Sequence, residues 1–454
     1  MNESADTRGA GIRGLEREVV GWSFYDFGAA SFSTSVITVF FGPFITTLAA
    51  AAADDSGMVH PFGITVHPGA IYPYLISISV LLQICLLPLI GALADYTRMK
   101  KLLLACSMIG GSGSVIAMLF LGGEEYLLAG ILFLFGNIFF GASDVLYNAF
   151  LPEICAPEHR NRVSAAGWGL GYLGGGILLV LQYLFVASAE AFGLQELDAA
   201  RISLASCGVW WLLFGTFALS YLRQRRTVRT GNGPLITAGF RELKQTLRSI
   251  RKYPQTLLFL IAFLLYSDGI QTVTTISTQF GQEEIGLAMR DLAEVILIVQ
   301  FVGVFGAWLF ERIARLLGTK RTILLTLSIY ILITLYVFAL LQGKTDFYIM
   351  AAVTAMVLVG SQSLSRAAFS RMIPSGREAE YFGIYEISER GTSWLSPLLF
   401  GLALQFTGSY RLAVLSLSAY FIAGFLLLLR VRFTRAEQGA EEFDPDPAAA
   451  PHPS

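Results

Sequence analysis

The chain has 454 residues, of which 54% are apolar and only 14% are charged, and its formal net charge is −1. This composition is typical of a protein whose main solvent is lipid, and it gives no support to nucleic-acid binding. The four cysteines form no CxxC pair and the four histidines lie outside the apolar segments. We therefore expect no disulfide framework, no metal site and no cofactor.

Twelve apolar segments are long enough to cross a bilayer, for which a helix needs about 20 residues. They are 20–48, 70–94, 102–122, 126–150, 163–188, 203–222, 256–280, 291–313, 322–342, 346–372, 382–406 and 410–430. Of the 32 Lys and Arg residues, all but Arg201, Arg290, Lys344 and Arg411 fall in or beside alternate loops. Because cationic residues concentrate in short cytoplasmic loops, this pattern predicts twelve transmembrane helices with both termini in the cytoplasm.

A basic stretch divides the twelve segments into two groups of six. Within it Phe240, Leu243, Leu247 and Ile250 recur at helical spacing, which predicts an amphipathic helix on the cytoplasmic surface. We expect no cleaved signal peptide before the first span. The predicted organisation is a cytoplasmic N-terminus (1–19), a six-helix bundle (20–222), a linker (223–255), a second six-helix bundle (256–430) and a disordered cytoplasmic tail (431–454).

The two halves carry an internal repeat. Gly141, Ala149 and Phe150 of the fourth span correspond to Gly360, Ala368 and Phe369 of the tenth span. Tyr25-Asp26 of the first span corresponds to Tyr266 and Asp268 of the seventh. Two parallel six-helix halves, related by an axis along the membrane normal, are the architecture of major facilitator transporters. The sequence thus predicts an all-α integral membrane protein with two pseudo-symmetric bundles.

The loop after the second span reads Gly91-Ala-Leu-Ala-Asp95-Tyr-Thr-Arg98-Met-Lys-Lys. It resembles the major facilitator signature between spans 2 and 3, in which the Asp and the Arg form a charge lock at the cytoplasmic gate. An ordinary cationic turn is the alternative interpretation. Further gate candidates, all near predicted cytoplasmic ends of spans, are Glu153, Arg366, Glu386 and Arg390.

Several spaced motifs between about residues 20 and 430 resemble the vacuole-effluxer-like family of the major facilitator superfamily. They are Trp22-Ser-Phe-Tyr-Asp26-Phe, Tyr147-Asn-Ala-Phe-Leu-Pro-Glu153, Gly167–Gly175, Tyr266–Thr272, Ser365-Arg366 with Pro374, and Glu378–Gly383. One departure is that Gly28, Ala29 and Ala30 stand where an Asn-Ser pair usually follows the first Asp. The resemblance implies export of neutral amino acids, as in the vacuolar members, while the substrate of bacterial members is open. We expect a bacterial-type inner membrane.

Three carboxylates lie within predicted spans, namely Asp26, Asp144 and Asp268. An ionised group near the bilayer centre costs about 2.5–3.5 kcal/mol even on lenient scales, so each should face a cavity or a partner. Desolvation favours the protonated form of a carboxyl group, which suits proton uptake and release. Asp268 is the strongest coupling candidate, and a structural hydrogen bond is its alternative. Asp144 is either a substrate contact or a partner of Arg366.

Other polar residues of the spans complete the candidate site. They are Tyr25, Tyr266, Gln271, Asn137 and Gln300, which either line a cavity or bond between helices. The glycines of 171–176 predict close helix packing rather than a phosphate loop.

The sequence therefore predicts a secondary active transporter, and not an enzyme, that moves a small solute by alternating access. Its expected partners are the solute, protons or another coupling ion, and membrane lipid, and it is expected to be a monomer. A transporter of lipid-like amphiphiles is the alternative, since the chain holds 34 Phe and 18 Tyr.

Overall fold

The computed structural model describes residues 3–96, 99–155, 160–223, 253–373 and 393–441. Apart from one isolated pairing between Val59 and Val66, the regular elements in these ranges are helical. In chain order they include α1 (Glu3–Ser31), α2 (Phe41–Ala51), α3 (Ile71–Tyr96), α4 (Lys100–Ala117), α5 (Tyr126–Asn148), α6 (Leu151–Ile154), α7 (Arg160–Ala187), α8 (Glu196–Tyr221), α9 (Pro254–Ile285), α10 (Met289–Leu317), α11 (Thr319–Ala339), α12 (Lys344–Ser370), α13 (Leu395–Thr407), α14 (Tyr410–Ser416), α15 (Ser418–Arg430) and α16 (Phe433–Glu441).

Within the described residues, ten helical stretches are long and apolar enough to cross a membrane, and a bent pair within α10 adds an eleventh. The predicted span 382–406 is represented by the 13-residue α13, and residues 374–392 before it lie outside the described part. Each of the twelve predicted spans therefore coincides, in whole or in part, with an apolar helix. Backbone groups in hydrocarbon must bond within their own segment, which is why these stretches are helices.

The helices leave large apolar side chains uncovered. Ile109, Leu213, Phe301 and Leu332 are each more than half exposed. A water-soluble protein would gain stability by burying them, whereas a membrane protein places such faces against lipid. The uncovered faces are thus the surface expected of an integral membrane protein.

The chain divides into two compact units. The first holds the described residues of Met1–Gly239 together with Thr275–Leu297 and Leu404–Gly408, and the second holds the remainder. In the first unit α1 packs against α7 and α8, and α5 packs against α3 and α4. In the second, α11 packs against α12, α14 and α15. The bundle limits 20–222 and 256–430 stay a prediction, and the amphipathic helix predicted within 223–255 lies almost wholly outside the described residues.

The first span is not a regular α-helix throughout. Between α1 and α2 it runs as a nine-residue π-helix, Phe32–Phe40. Within that segment the Ser35 hydroxyl donates to Gln182 Oε1 at 2.7 Å, and Gln182 Nε2 donates to the carbonyl of Ser203 at 2.8 Å. π-Helical turns are rare and are frequently found at functional sites.

The tail differs in part from the expectation that it is disordered from residue 431. Helix α16 covers Phe433–Glu441, and residues 442–454 lie outside the described part. The Phe433 ring lies edge-on to Phe259 with centroids 5.7 Å apart, and Ala436 is buried. Burial of these two apolar side chains stabilises the first turns of the tail as a helix.

Candidate functional site

Asp268 lies on α9 and is 3% exposed. Its Oδ2 accepts a hydrogen bond from the backbone N–H of Ser396 at 3.1 Å, and its own carbonyl accepts from the Ser396 hydroxyl at 2.9 Å. Ser396 belongs to the first turn of α13, where backbone N–H groups lack partners and the helix dipole favours negative charge. The sequence therefore places a carboxylate against the start of a short helix within the second unit.

The second carboxylate oxygen of Asp268, Oδ1, is buried and has no hydrogen-bond partner among the described residues. A buried polar atom without a partner costs about 1–3 kcal/mol, and more when it is charged. A proton or a cation on Oδ1 would remove that cost.

Neighbouring residues of α9 are tied to α12 and α13. Thr272 shares a short hydrogen bond with the Ser396 hydroxyl. The Tyr266 hydroxyl lies 2.5 Å from Ser365 Oγ, and Ser267 accepts a hydrogen bond from Gln362 at 3.1 Å. These bonds hold α9 in a fixed rotation, so the direction of the Asp268 side chain is fixed as well.

Gln271, one of the polar site residues predicted from the sequence, is exposed, and no hydrogen bond of its side chain is seen among the described residues. Thr272, one full turn after Asp268, is the residue that bonds to Ser396, the partner of Asp268. Gln300 on α10 is half-buried. The sequence offered no signal for Ser396, which is one serine among many until α13 is placed beside α9.

A column of aromatic rings lies beside the carboxylates of the first unit. Trp22 stacks on Tyr147 with ring centroids 4.3 Å apart, and Tyr25 stacks on the same tyrosine at 5.2 Å. The indole N–H of Trp22 donates to the carbonyl of Tyr147 at 3.0 Å. All three side chains are buried, and the Tyr147 hydroxyl has no hydrogen-bond partner among the described residues.

Asp26 is the residue directly after Tyr25 on α1, and its side chain is half-buried. Its carboxylate fits because residue 171 is a glycine, since a Cβ there would lie 2.7 Å from Asp26 Oδ2. Asp144 is also half-buried, accepts from Asn148 at 3.1 Å, and is near enough for its charge to act on Asp26. The first unit therefore brings Tyr25, Asp26 and Asp144 near one another.

The glycines of α7 serve close packing against α1, which confirms the sequence interpretation. A Cβ at Gly174 would lie 2.0 Å from the carbonyl oxygen of Phe27, and one at Gly175 would lie 2.9 Å from Thr34 Oγ1. The backbones of the two helices can approach so closely only when the side chain is absent.

Asn137 is 5% exposed and serves the helix interface. Its amide donates to Ser79 Oγ at 2.7 Å, while Gln83 donates to the Asn137 carbonyl at 3.2 Å. Bonds of this kind between α3 and α5 favour the interhelical interpretation of Asn137 over that of a cavity lining.

Glu153, on the short helix α6, forms an ion pair with Lys100 at the start of α4. Its carboxylate lies 2.5 Å from the Lys100 ammonium, and the two side chains are only 12% and 9% exposed. Lys100 also donates to the carbonyl of Ala149 at 3.1 Å and lies over the Phe150 ring. Lys100 is thus a charged group of this region that the sequence prediction omitted.

The remaining gate candidates are only partly described. Arg366 is exposed on α12, and Asp95 lies near the end of α3, where only its backbone is described. Arg98, Glu386 and Arg390 lie outside the described residues. The charge lock predicted for Asp95 and Arg98 stays a prediction.

A family model described as vacuole effluxer Atg22 like matches residues 15–441. The chain belongs to this family. YxiO of Bacillus subtilis, an MFS-type transporter, is 29% identical to it over 90% of this chain and 93% of YxiO. Autophagy-related protein 22 of Pyricularia oryzae is 27% identical over 87% of this chain and 73% of its own length.

Solved structures give the fold of this Atg22-like chain. A bacterial homologue of the human lysosomal transporter Spinster, inward-facing and unoccupied, aligns with a TM-score of 0.63 over 96% of this chain and 99% of its own, at 16% identity. A D-xylose–proton symporter aligns with a TM-score of 0.63 over 94% and 98%, at 14% identity. The protein therefore has the major facilitator fold. Its membership of the effluxer family makes it a transporter, not an enzyme.

Proposed function

We propose that this secondary transporter exports a small polar solute of the neutral amino-acid type and couples its movement to protons through Asp268. The proposal rests on the buried Asp268 carboxylate, in which one oxygen accepts a hydrogen bond and the other has no partner among the described residues. Ionisable residues inside a membrane protein mark ion or substrate pathways by default. Protonation of Oδ1 neutralises the group without breaking its bond to Ser396, so the site can gain and lose one proton at small structural cost.

Asp26 is proposed to contact the amino group of the solute. Its carboxylate is half-buried, and no hydrogen bond to it is seen among the described residues. An ammonium group beside Asp26 would meet a carboxylate and the neighbouring aromatic column, which both favour a cation. In this proposal Asp26 binds the solute and Asp268 binds the proton.

The proposed orientation places both termini in the cytoplasm. The four cationic residues assigned to the outer side have local partners, which lowers the cost of placing them there. Arg201 pairs with Asp198 at 2.5 Å, Arg411 donates to two carbonyls, and Arg290 and Lys344 lie over tyrosine rings.

The test begins with a thermal-shift screen of the purified protein against amino acids, peptides, sugars and lysolipids. The solute that stabilises most is then loaded into proteoliposomes that carry a pH-sensitive dye. The proposal predicts that a neutral amino acid raises the unfolding temperature and that its downhill efflux moves protons in the opposite direction. Stabilisation by lysolipids alone, or solute movement without any proton movement, would contradict it.

A further inference from the structure

The connection between the first two spans folds into an ordered loop, here called the 52–67 loop. Asp54 Oδ1 accepts from the backbone N–H groups of Ser56 and Met58, and Val59 and Val66 exchange backbone hydrogen bonds of 2.9 and 2.8 Å. The loop ends at His67, directly before the turn Pro68–Ala70 that starts the second span. The distribution of Lys and Arg predicts that this face lies outside the cell.

Gln405, at the end of α13, holds the loop from one side. Its Oε1 accepts from the backbone N–H of His67 at 2.7 Å, and its Nε2 donates to the carbonyl of Thr65 at 3.2 Å. All three residues belong to the first unit. One amide side chain therefore bonds to two backbone groups of the loop.

Gln279, near the end of α9, holds the same segment from another side. Its Nε2 donates to the carbonyl of Gly69 at 2.7 Å and to Thr46 Oγ1 at 2.9 Å. Two further side chains of α9 bond to the first span. Thr278, directly before Gln279, donates to the carbonyl of Thr38 at 2.7 Å, and Gln282, about one turn after it, donates to Thr47 at 3.0 Å. We call Gln279 and Gln405 the glutamine clamp.

The glutamine clamp consists of neutral groups, so its own strength does not change with pH. Its backbone target, however, is fixed by a titratable side chain. His67 Nδ1 accepts a hydrogen bond from the N–H of Gly69 at 3.1 Å, the residue whose carbonyl Gln279 binds. A ring nitrogen accepts only while it carries no proton. Protonated His67 would also place a positive charge at the start of a helix, where the dipole opposes it.

We propose that His67 is a proton-operated lock on the glutamine clamp, which is closed while the imidazole is neutral and is released when the imidazole gains a proton. Release frees the Pro68–Ala70 turn, and Gln279 then loses its fixed acceptor. Because the clamp joins the 52–67 loop to the ends of α9 and α13, acid on this face loosens that end of the transporter.

The direction of the pH effect follows from linkage. Burial lowers the pKa of His67 below its ordinary value of 6.5 in the clamped state. In the released state the ring is more solvated, so its pKa returns toward 6.5. The clamp is then fully stable above about pH 6.5, and its closed-to-open ratio falls by up to about tenfold per pH unit below that value.

The surrounding elements carry other titratable groups, and the variants below separate their response from that of His67. Asp54 and His60 lie 2.9 Å apart and are both exposed. Tyr72 and Tyr74 lie on α3. Glu283 and Glu284 lie on α9, and burial raises the pKa of the Glu283 carboxyl. Because the His67 variants retain both glutamates, they separate a glutamate response from that of His67. Helix α13 contains no titratable residue.

The test measures one distance across the clamp. Spin labels are attached at Asp55→Cys and Ala288→Cys, both exposed positions of the first unit, after replacement of the four native cysteines. Double electron–electron resonance in nanodiscs is recorded at pH 8 and pH 5.5. We expect one narrow distance at pH 8 and a second, longer distance whose population rises at least severalfold at pH 5.5.

The variants separate the lock from other sources of pH dependence. His67→Asn keeps a neutral acceptor at all pH values and should stay closed at both, with His67→Gln as a second variant should the first fail to fold. The matched control, His60→Asn, should keep the wild-type response, and Gln279→Ala should open the clamp even at pH 8. A pH response that survives in His67→Asn, or that vanishes in Asp268→Asn, would overturn the lock. A failure of proton coupling in the transport assay would leave this distance measurement unchanged.

Discussion

Ser396 donates two hydrogen bonds to Asp268, one from its backbone N–H to the carboxylate Oδ2 and one from its hydroxyl to the Asp268 backbone carbonyl. The first bond stabilises the charged carboxylate at the start of α13. The second ties the backbone of α9 to the same residue. Ser396 is therefore a positioning residue for the proposed proton site.

We expect Ser396→Ala to change the pH profile of transport while solute binding persists. The variant keeps the N–H but loses the hydroxyl, which also bonds Thr272, so the carboxylate can shift relative to α13. The lost bonds should lower the free energy of unfolding by about 0.5–1.5 kcal/mol each. Ser328→Ala is the matched control, because the Ser328 hydroxyl bonds only within its own helix at 2.9 Å. Equal pH profiles in both variants would rule out a positioning role.

Gly171→Ala should displace the Asp26 carboxylate and weaken solute binding. The new Cβ would lie 2.7 Å from Oδ2 and 2.9 Å from Cγ, so the side chain must move or the helices must separate. Overpacking of this kind costs about 1–3 kcal/mol. Gly169→Ala serves as the control, because a Cβ there meets no atom within 4 Å. The measurement is the solute-dependent thermal shift, and equal shifts in the two variants would argue against a solute contact at Asp26.

Lys100→Met should be strongly destabilising, because it leaves the Glu153 carboxylate buried without its cation. Loss of one partner of a buried ion pair costs about 3–5 kcal/mol, whereas apolar replacement of both partners is often close to neutral. We therefore expect the double variant Lys100→Met/Glu153→Leu to recover most of the loss in a thermal unfolding assay. Glu311→Gln, in an exposed pair with Arg315, should change nothing measurable. A double variant as unstable as the single one would contradict this account.

Sidedness can be checked by cysteine labelling in intact cells. In a background without the native cysteines, Asp55→Cys should react with a membrane-impermeant thiol reagent from outside. Arg223→Cys, exposed after α8, should react only after the cells are permeabilised. The reverse pattern would invert the topology that the Lys and Arg distribution predicts.

The membrane spans were predictable because hydrocarbon admits few alternatives to a helix of about 20 apolar residues. Asp26 and Asp268 could also be found, since a carboxylate within such a span is rare and costly. The residues that contact them could not be predicted from the sequence. Ser396 lies 128 positions from Asp268, and Gln279 lies 210 from Gly69, so these contacts depend on how helices pack rather than on local pattern.

The same limit applies to Lys100 and to Thr272. A lysine in a basic loop gives no sign that it will be buried beside Glu153, because cationic turns are common at the ends of spans. Gln271 and Thr272 are neighbours on α9, three and four residues after Asp268. Helical periodicity alone does not show which of the two lies beside Ser396, the partner of Asp268. Only the rotation of α9, set by its contacts with α12 and α13, decides this.

The central claim is that Asp268 carries the coupling proton, and paired proteoliposome assays of Asp268→Asn test it most directly. Asparagine keeps the shape of the side chain and an oxygen for the Ser396 N–H, but it cannot gain or lose a proton in the cycle. We predict that solute accumulation driven by a pH gradient is lost while solute counterflow, which needs no net proton movement, is retained. Glu311→Gln should leave both assays unchanged. Undiminished gradient-driven accumulation in Asp268→Asn would contradict the claim.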